Sequence, residues 1–459
     1  MITASRPSKG RILPLLVSLC LGTLFSSFVS GCGRQDRAAT DPSPAKRTAD
    51  SEQSTPTAPP QAAGRADDPQ AVEQLKAAGF LFVTGSDGNV SEFSIASQTD
   101  ISDAFVHLAG IPNASSAIFT GPGITEKGME HLAQLTGLRR LDLSDSAITP
   151  DVLKMVGELK NLEVLRLRRT GVTDESLAHL AGLARLRALD LRNTNISDGG
   201  MQHIAKLKSL SDLQLEKSKV NDPGIAMLAG LPLTSFNVNY CTTVSNSSLE
   251  VLGKITTLRS IQLDATKITD DGMVHLAGLK NLTRLRIRDT DITGEGFAHI
   301  AGLTNLERLE LRGTSIDDDA VAVIGNWPKI NYLDIAECRL VSAEGMKPIG
   351  NLTGLTYLGF WETKLDDDAM AAFDRLTGLT ELDLKATQIT DEAVSTILKF
   401  QKLKRLNVAG TQLTDEGFRQ FATLPNLSYI NVANTNIGYD VVDELAAANG
   451  GMEVVEFGE

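Results

Sequence analysis

Residues 162–184 read LEVLRLRRTGVTDESLAHLAGLA, and within that stretch the hydrophobic period changes once. Leu162, Leu165 and Leu167 belong to a short strand whose alternate side chains, Val164 and Arg166, must point to the other face. Asp174 and Glu175 then open a helical turn, where exposed N–H groups favour negative charge, and Leu177, Leu180 and Ala181 recur at helical spacing. Gly182 closes the turn, as Gly110, Gly230, Gly278 and Gly302 do elsewhere, and each is expected to adopt the left-handed conformation common at helix C-termini.

The phrase restarts sixteen times between Val90 and Met452, at intervals of 24 residues except for one of 23 and three of 25. One strand and one short helix cannot bury their apolar faces alone, but stacked copies share a continuous core. The pattern L-x-x-L-x-L followed by a fixed polar position resembles the leucine-rich repeat family over about four-fifths of the chain. The implied fold is an α/β solenoid, a horseshoe with a parallel sheet on the concave face and short helices on the convex face. Residues 90–459 would supply about sixteen strands and, at roughly 4.8 Å per step, a wall on the order of 75 Å long. An aromatic content of 5% suits a core of leucine layers.

Residues 1–31 read as an export signal: Arg6, Lys9 and Arg11 precede an apolar stretch from Ile12 to Val29. Val29-Ser30-Gly31-Cys32 resembles the bacterial lipoprotein lipobox, which implies cleavage before Cys32 and a diacylglycerol on its thiol. Gly33, rather than aspartate, after the cysteine implies delivery to the outer membrane of a double-membraned cell. The alternative is an uncleaved anchor, since about 18 apolar residues nearly span a bilayer. Residues 32–69, rich in Ala, Ser, Thr and Pro, have no apolar period and are expected to form a disordered tether spanning about 35 Å. Residues 70–89 are expected to cap the open end of the core with a helix from Ala71 and a strand, Phe80–Thr84, turning at Ser86-Asp87-Gly88-Asn89. At the far end Val441, Val442 and Leu445 form a last helix, and Met452, Val455 and Phe457 a last strand whose edge could meet a second copy.

Little of the chain suggests catalysis or a cofactor. Cys241 and Cys338 occupy the fixed polar position, where nine other copies carry threonine, and each begins a Cys-x-x-Val-Ser run. Those runs resemble the cysteine-containing repeats of F-box adaptor proteins; that resemblance implies an adaptor role, but no F-box is present. Both thiols are expected to be buried donors to a neighbouring turn, about 19 Å apart and too far for a disulfide. His107, His131, His179, His203, His275 and His299 share one outer-helix position, about 10 Å from copy to copy, so no metal is expected. No nucleophile, base or phosphate-loop motif occurs, which argues against an enzyme. Asp317 to Asp319 and Asp366 to Asp368 open outer helices, where the dipole accounts for them. A net charge of −13 and the export signal argue against nucleic acid.

Only the concave wall is free to vary. Two basic strips appear on it, Arg166, Arg168, Arg169, Arg187 and Arg192, then Arg284, Arg286, Arg288, Arg308 and Arg312. Arginine suits planar recognition of carboxylate or phosphate groups; the competing reading is a solvated face neutralised by Asp142, Asp190, Asp289 and Glu310. Asp212, Gln214, Glu216, Asn237, Asn239 and Asp264 lie between the strips. Beside the second strip Tyr332, Tyr357 and Trp361 are expected to meet in one solvent-facing patch bordered by Glu337 and Glu362. The expected function is a lipid-anchored envelope protein holding a protein or an anionic glycan on this wall, chiefly from Arg284 to Trp361. The alternative is an envelope spacer or scaffold that makes its contacts elsewhere.

Overall fold

The computed structural model describes residues 65–457. The expected leader, Cys32 and most of the tether lie outside the described residues. Among those described, no helix is long and apolar enough to cross a membrane.

One sheet of seventeen strands runs through the chain. Its first strand, β1 (Leu81–Thr84), pairs antiparallel with β2 (Val90–Ala96). From β2 onward sixteen strands pair in parallel and in sequence order, ending at Glu453–Val455. After β3 (Ser116–Thr120) each strand is only three residues long. The register advances by one copy per strand, so Leu165 lies beside Leu189 and Leu333 beside Leu358. These middle residues are buried, while their neighbours, such as Val164 and Arg166, face outward as period-2 geometry requires.

The other side of the leucine core is covered by helical segments of three to nine residues, some α and some 3-10. Segments so short do not persist alone; packing holds them. Their acidic first turns do more than answer a dipole. The Asp270 carboxylate accepts from the backbone N–H of Thr293 at 2.8 Å and from its hydroxyl at 2.6 Å, in the next copy. Asp318 receives Ser342 and Asp367 receives Thr390 in the same way. Within the two aspartate triplets, Asp317 and Asp366 cap their helices by accepting from Ala320 and Ala369, and the second aspartate of each ties copy to copy.

The fixed polar position is explained equally directly. Thr170 donates to the carbonyl of Leu167 at 2.6 Å, and the threonines at 194, 266, 290 and 314 repeat that bond. Cys241 and Cys338 are buried free thiols whose Sγ atoms lie 3.4 and 3.2 Å from the carbonyls of Leu215 and Leu311 in the preceding copy. Burial pushes the Cys338 thiol up to about 12.

Three expectations are corrected. Gly110, Gly182, Gly230, Gly278 and Gly302 are not left-handed; at Gly110 the reason for glycine is close approach, since an added Cβ would fall 2.2 Å from that of Ala71. The cap starts before residue 70: the helix Pro69–Ala77 is capped by Asp68, and Asp67 accepts from the N–H of Val90 at 2.5 Å. The cap also contains an aromatic plug, in which Phe80, Phe93, Phe105 and Phe119 meet largely edge to face. At the far end Val454, not Val455, pairs with Ile430, so the last copy is displaced by one residue from the leucine count and Phe457 is exposed. Gly451, with φ of 116°, stands where that count would begin, and Met452 is buried ahead of the strand.

Candidate functional site

Each copy gives the concave wall three residues, the first and third of its strand and one two places further on. Arg284, Arg286 and Arg288 are one such set. The next residue turns the chain out of the wall with positive φ. Asp145, Arg169, Asn193, Tyr240, Ala265, Glu337 and Ala386 all do so, with φ between 52° and 60°. Glycine takes this place at Gly121, Gly313 and Gly410. In the other copies an L-residue bears the cost, about 1–2 kcal/mol.

The wall brings each basic strip together with its own acids. In the first, Arg168 and Arg169 both hold Asp145, at 2.7 and 2.9 Å, Arg166 lies 3.4 Å from Asp142, and Arg192 grips Asp190 on its own strand at 2.6 Å. An open dent of about 410 Å³ above them is lined by three arginines and three aspartates, so it carries little net charge. Arg187 stands apart, just ahead of its strand and exposed.

The second strip is tighter. Asp264 is fully buried and receives Arg286 at 2.6 Å and Arg288 at 2.9 Å. Glu310, nearly as buried, receives Arg284 at 2.8 Å and Arg308 at 2.7 Å, and Arg312 holds Glu337 at 2.6 Å. Burial pushes the Asp264 carboxyl above its ordinary range despite Arg288. Asp190 therefore pairs within its strand, not across strands, and Asp289 forms no ion pair among the described residues. Asp145, Asp264 and Glu337, which the sequence reading did not assign to the arginines, carry much of the neutralisation. Asn239 is also wholly buried between the strips, its amide N–H unpartnered while its carbonyl accepts from Asp264 N–H at 2.8 Å.

Two of the three expected aromatics meet. Tyr332 and Tyr357 stack with centroids 4.0 Å apart and planes 6° from parallel. The Arg308 guanidinium covers the outer face of Tyr332 at 3.5 Å. Trp361 lies further along its strand and is held separately, with Arg312 at 4.4 Å and Lys385 at 4.9 Å from its ring. Glu337 and Glu362 do border the patch, paired with Arg312 and Arg339. A fourth aromatic, Tyr429, lies in the same wall row with Arg405 over its ring at 3.7 Å; alignment of the copies could have found it.

Between Tyr357 and Tyr429 the wall opens into a dent of about 140 Å³, with Leu382 and Leu406 in its lining and Glu381, Asp383, Arg405 and Asn407 around it. Beside it Gly359 leaves a gap in the middle row, flanked by Asp334 and Asp383. A Cβ there would lie 2.9 Å from the Tyr357 hydroxyl and 3.2 Å from Asp334, so glycine lets the tyrosine lean across. Burial pushes both Asp334 and Asp383 upward, against the backbone N–H groups of Ala336 and Lys385. Burial likewise raises Tyr357, helped by those two carboxylates.

A leucine-rich repeat region model matches residues 122–336, and a second leucine rich repeat model matches residues 401–422. The fold is a leucine-rich repeat solenoid. A chain of the yeast Rad7–Elc1 complex superposes on the solenoid with a TM-score of 0.52 and 18% identity, over 73% of this chain and 84% of that one. The Arabidopsis HAESA receptor kinase ectodomain, solved with a peptide hormone, gives 0.50 and 15% over 84% and 73%. A leucine-rich repeat protein of Leptospira interrogans gives 0.47 and 18% over 76% and 91%. No curated protein matches the solenoid in sequence.

Among the described residues no group of His, Cys, Asp and Glu has the arrangement of a metal site. The basic part of the concave wall is internally paired and its aromatic part is half-open.

Proposed function

We propose that this is a lipid-anchored protein of the bacterial envelope, attached through Cys32, that holds a protein partner on the concave wall around Tyr332, Tyr357 and Trp361. The observation that carries the reading is the aromatic stretch itself. Three half-buried rings stand together on the wall, with a fourth, Tyr429, further along the same row, and aromatic anchors dominate protein interfaces. The HAESA ectodomain with its peptide hormone and the Rad7–Elc1 complex are solenoids of this fold solved with peptide or protein partners.

An anionic glycan is the weaker ligand. The arginines meant for it already donate to Asp145, Asp190, Asp264, Glu310 and Glu337. Recruiting them would uncover buried carboxylates, at a cost of about 3–5 kcal/mol per broken buried pair.

A photoreactive amino acid placed at Lys385, on the wall, and another at Glu295, on an outer helix, test the protein-binding reading in cells. Crosslinks to a discrete protein from position 385 alone are expected. Crosslinks from position 295 alone would favour the scaffold. For the anchor, Cys32→Ser is expected to abolish incorporation of labelled fatty acid and release the protein from membranes; unchanged labelling would refute lipidation at Cys32.

A further inference from the structure

We infer that the dent beside Tyr357 receives an arginine side chain of the protein partner. This rests on the wall being the protein-binding surface and adds the chemistry of the contact.

The two outer faces of the tyrosine pair are covered differently. On the Tyr332 side the protein supplies its own guanidinium: Arg308 lies 3.5 Å from the ring centroid while its Nε donates to Glu310 at 2.7 Å. Glu310 stands in the middle wall row, one strand before Tyr332. On the Tyr357 side Asp383 stands in that same row, one strand after the ring. The position matching Arg308 is filled there by Glu381. The aromatic face and the acid are thus repeated in mirror order, and the cation is missing.

The surrounding charges leave that place open. Glu381 and Asp383 form no ion pair among the described residues. Of the nearby cations, Arg405 lines the dent with its guanidinium over the Tyr429 ring, and Lys385 lies over the Trp361 ring, from where its charge still acts on Asp383; neither stacks on Tyr357. A dent of about 140 Å³ suits one planar head group, not a fold or a sugar chain. Guanidinium is favoured over ammonium because it can stack on Tyr357 and still present in-plane donors to a carboxylate.

The probes are fluorescein-labelled peptides of six arginines and of six lysines, titrated against the full chain by fluorescence anisotropy at constant ionic strength. The arginine peptide is expected to bind at least about fivefold tighter. Asp383→Asn, which keeps the oxygen that accepts from Lys385 N–H, is expected to weaken it roughly tenfold and erase the preference. Tyr357→Leu should do the same, and circular dichroism reports whether that variant remains folded. Asp271→Asn, an exposed acid on an outer helix, should change nothing. Equal binding of the two peptides, no binding of either, or an equal loss from Asp271→Asn and Asp383→Asn would overturn the inference. If Asp383→Asn leaves capture of the cellular partner intact while loss of Tyr332, Tyr357 and Trp361 abolishes it, the protein-binding wall stands and the arginine subsite falls.

Discussion

Tyr332 and Tyr357 are face to face, 4.0 Å between centroids, because the parallel register sets residue 357 directly beside residue 332. Gly359 completes the arrangement by leaving room for the Tyr357 hydroxyl. The longer copy between them keeps the strands in register, because its extra residue is taken up outside the wall.

Gly359→Ala should therefore act through Tyr357. The backbone there is not left-handed, so alanine is tolerated by the main chain, but its methyl would meet the hydroxyl and tilt the ring from Tyr332. An aromatic pair is worth about 0.5–1.5 kcal/mol, so partner affinity should fall by up to about tenfold with the fold retained. Calorimetric titration with the captured partner checks this; an unchanged affinity would separate Gly359 from the site.

Ala386→Gly should stabilise the protein. Ala386 is exposed and has φ of 53°, a conformation costly for any residue with a Cβ. Relief of that strain, less the entropy glycine adds to the unfolded chain, should give about 0.5–1 kcal/mol. Ala386→Val should cost more than about 1 kcal/mol. Urea unfolding followed by circular dichroism distinguishes these signs.

Asp270→Ala should destabilise by about 2–4 kcal/mol, since it removes two bonds and leaves the Thr293 N–H without its acceptor. Thr293→Val removes the hydroxyl's bond to Asp270 and its cap on the Glu295 N–H, but spares the Thr293 N–H bond, and should cost about 1–2 kcal/mol. Denaturant titration of both single variants and the double variant should show strong coupling; additive losses would mean that the tie between copies is not made by this pair.

The repeat was plain in the sequence because leucine recurs at the same phase in nearly every copy, and each core leucine stands where period and spacing put it. The left-handed turn was not, because its position holds Asp145, Arg169, Tyr240, Ala265 and Glu337 in turn, with no shared chemistry to announce it. The ion pairs were legible only in part, for a similar reason. Asp142 and Glu310 do pair across strands. Arg288 reaches Asp264 and Arg312 reaches Glu337 from residues 24 and 25 positions away, so a basic run along the chain became a network of paired charges across it. Tyr332 and Tyr357 were legible because they share a phase, whereas Trp361, four residues on, belongs to another row and stacks with cations instead.

The pH dependence follows from Asp334. Burial raises its carboxyl above the ordinary value, with the Ala336 N–H opposing. A raised folded-state pKa means that the group favours folding while protonated, and that this contribution is lost as pH rises through the folded value. Asp334→Asn keeps an oxygen for Ala336 N–H and removes the buried charge. The variant should therefore melt higher than the parent at pH 8, with the gap closing as pH falls toward 4. A constant gap in thermal melts across that range would assign the difference to packing.

The most direct test of the concave wall is the affinity of the captured partner for a triple variant, Tyr332→Ala, Tyr357→Ala and Trp361→Ala, beside a control altered at Asp212 and Gln214. With folding of all proteins verified, the triple variant should lose at least about a hundredfold in Kd, two or more anchor contacts' worth, and the control should lose almost nothing. An unchanged Kd for the triple variant would contradict the account and move recognition off this wall.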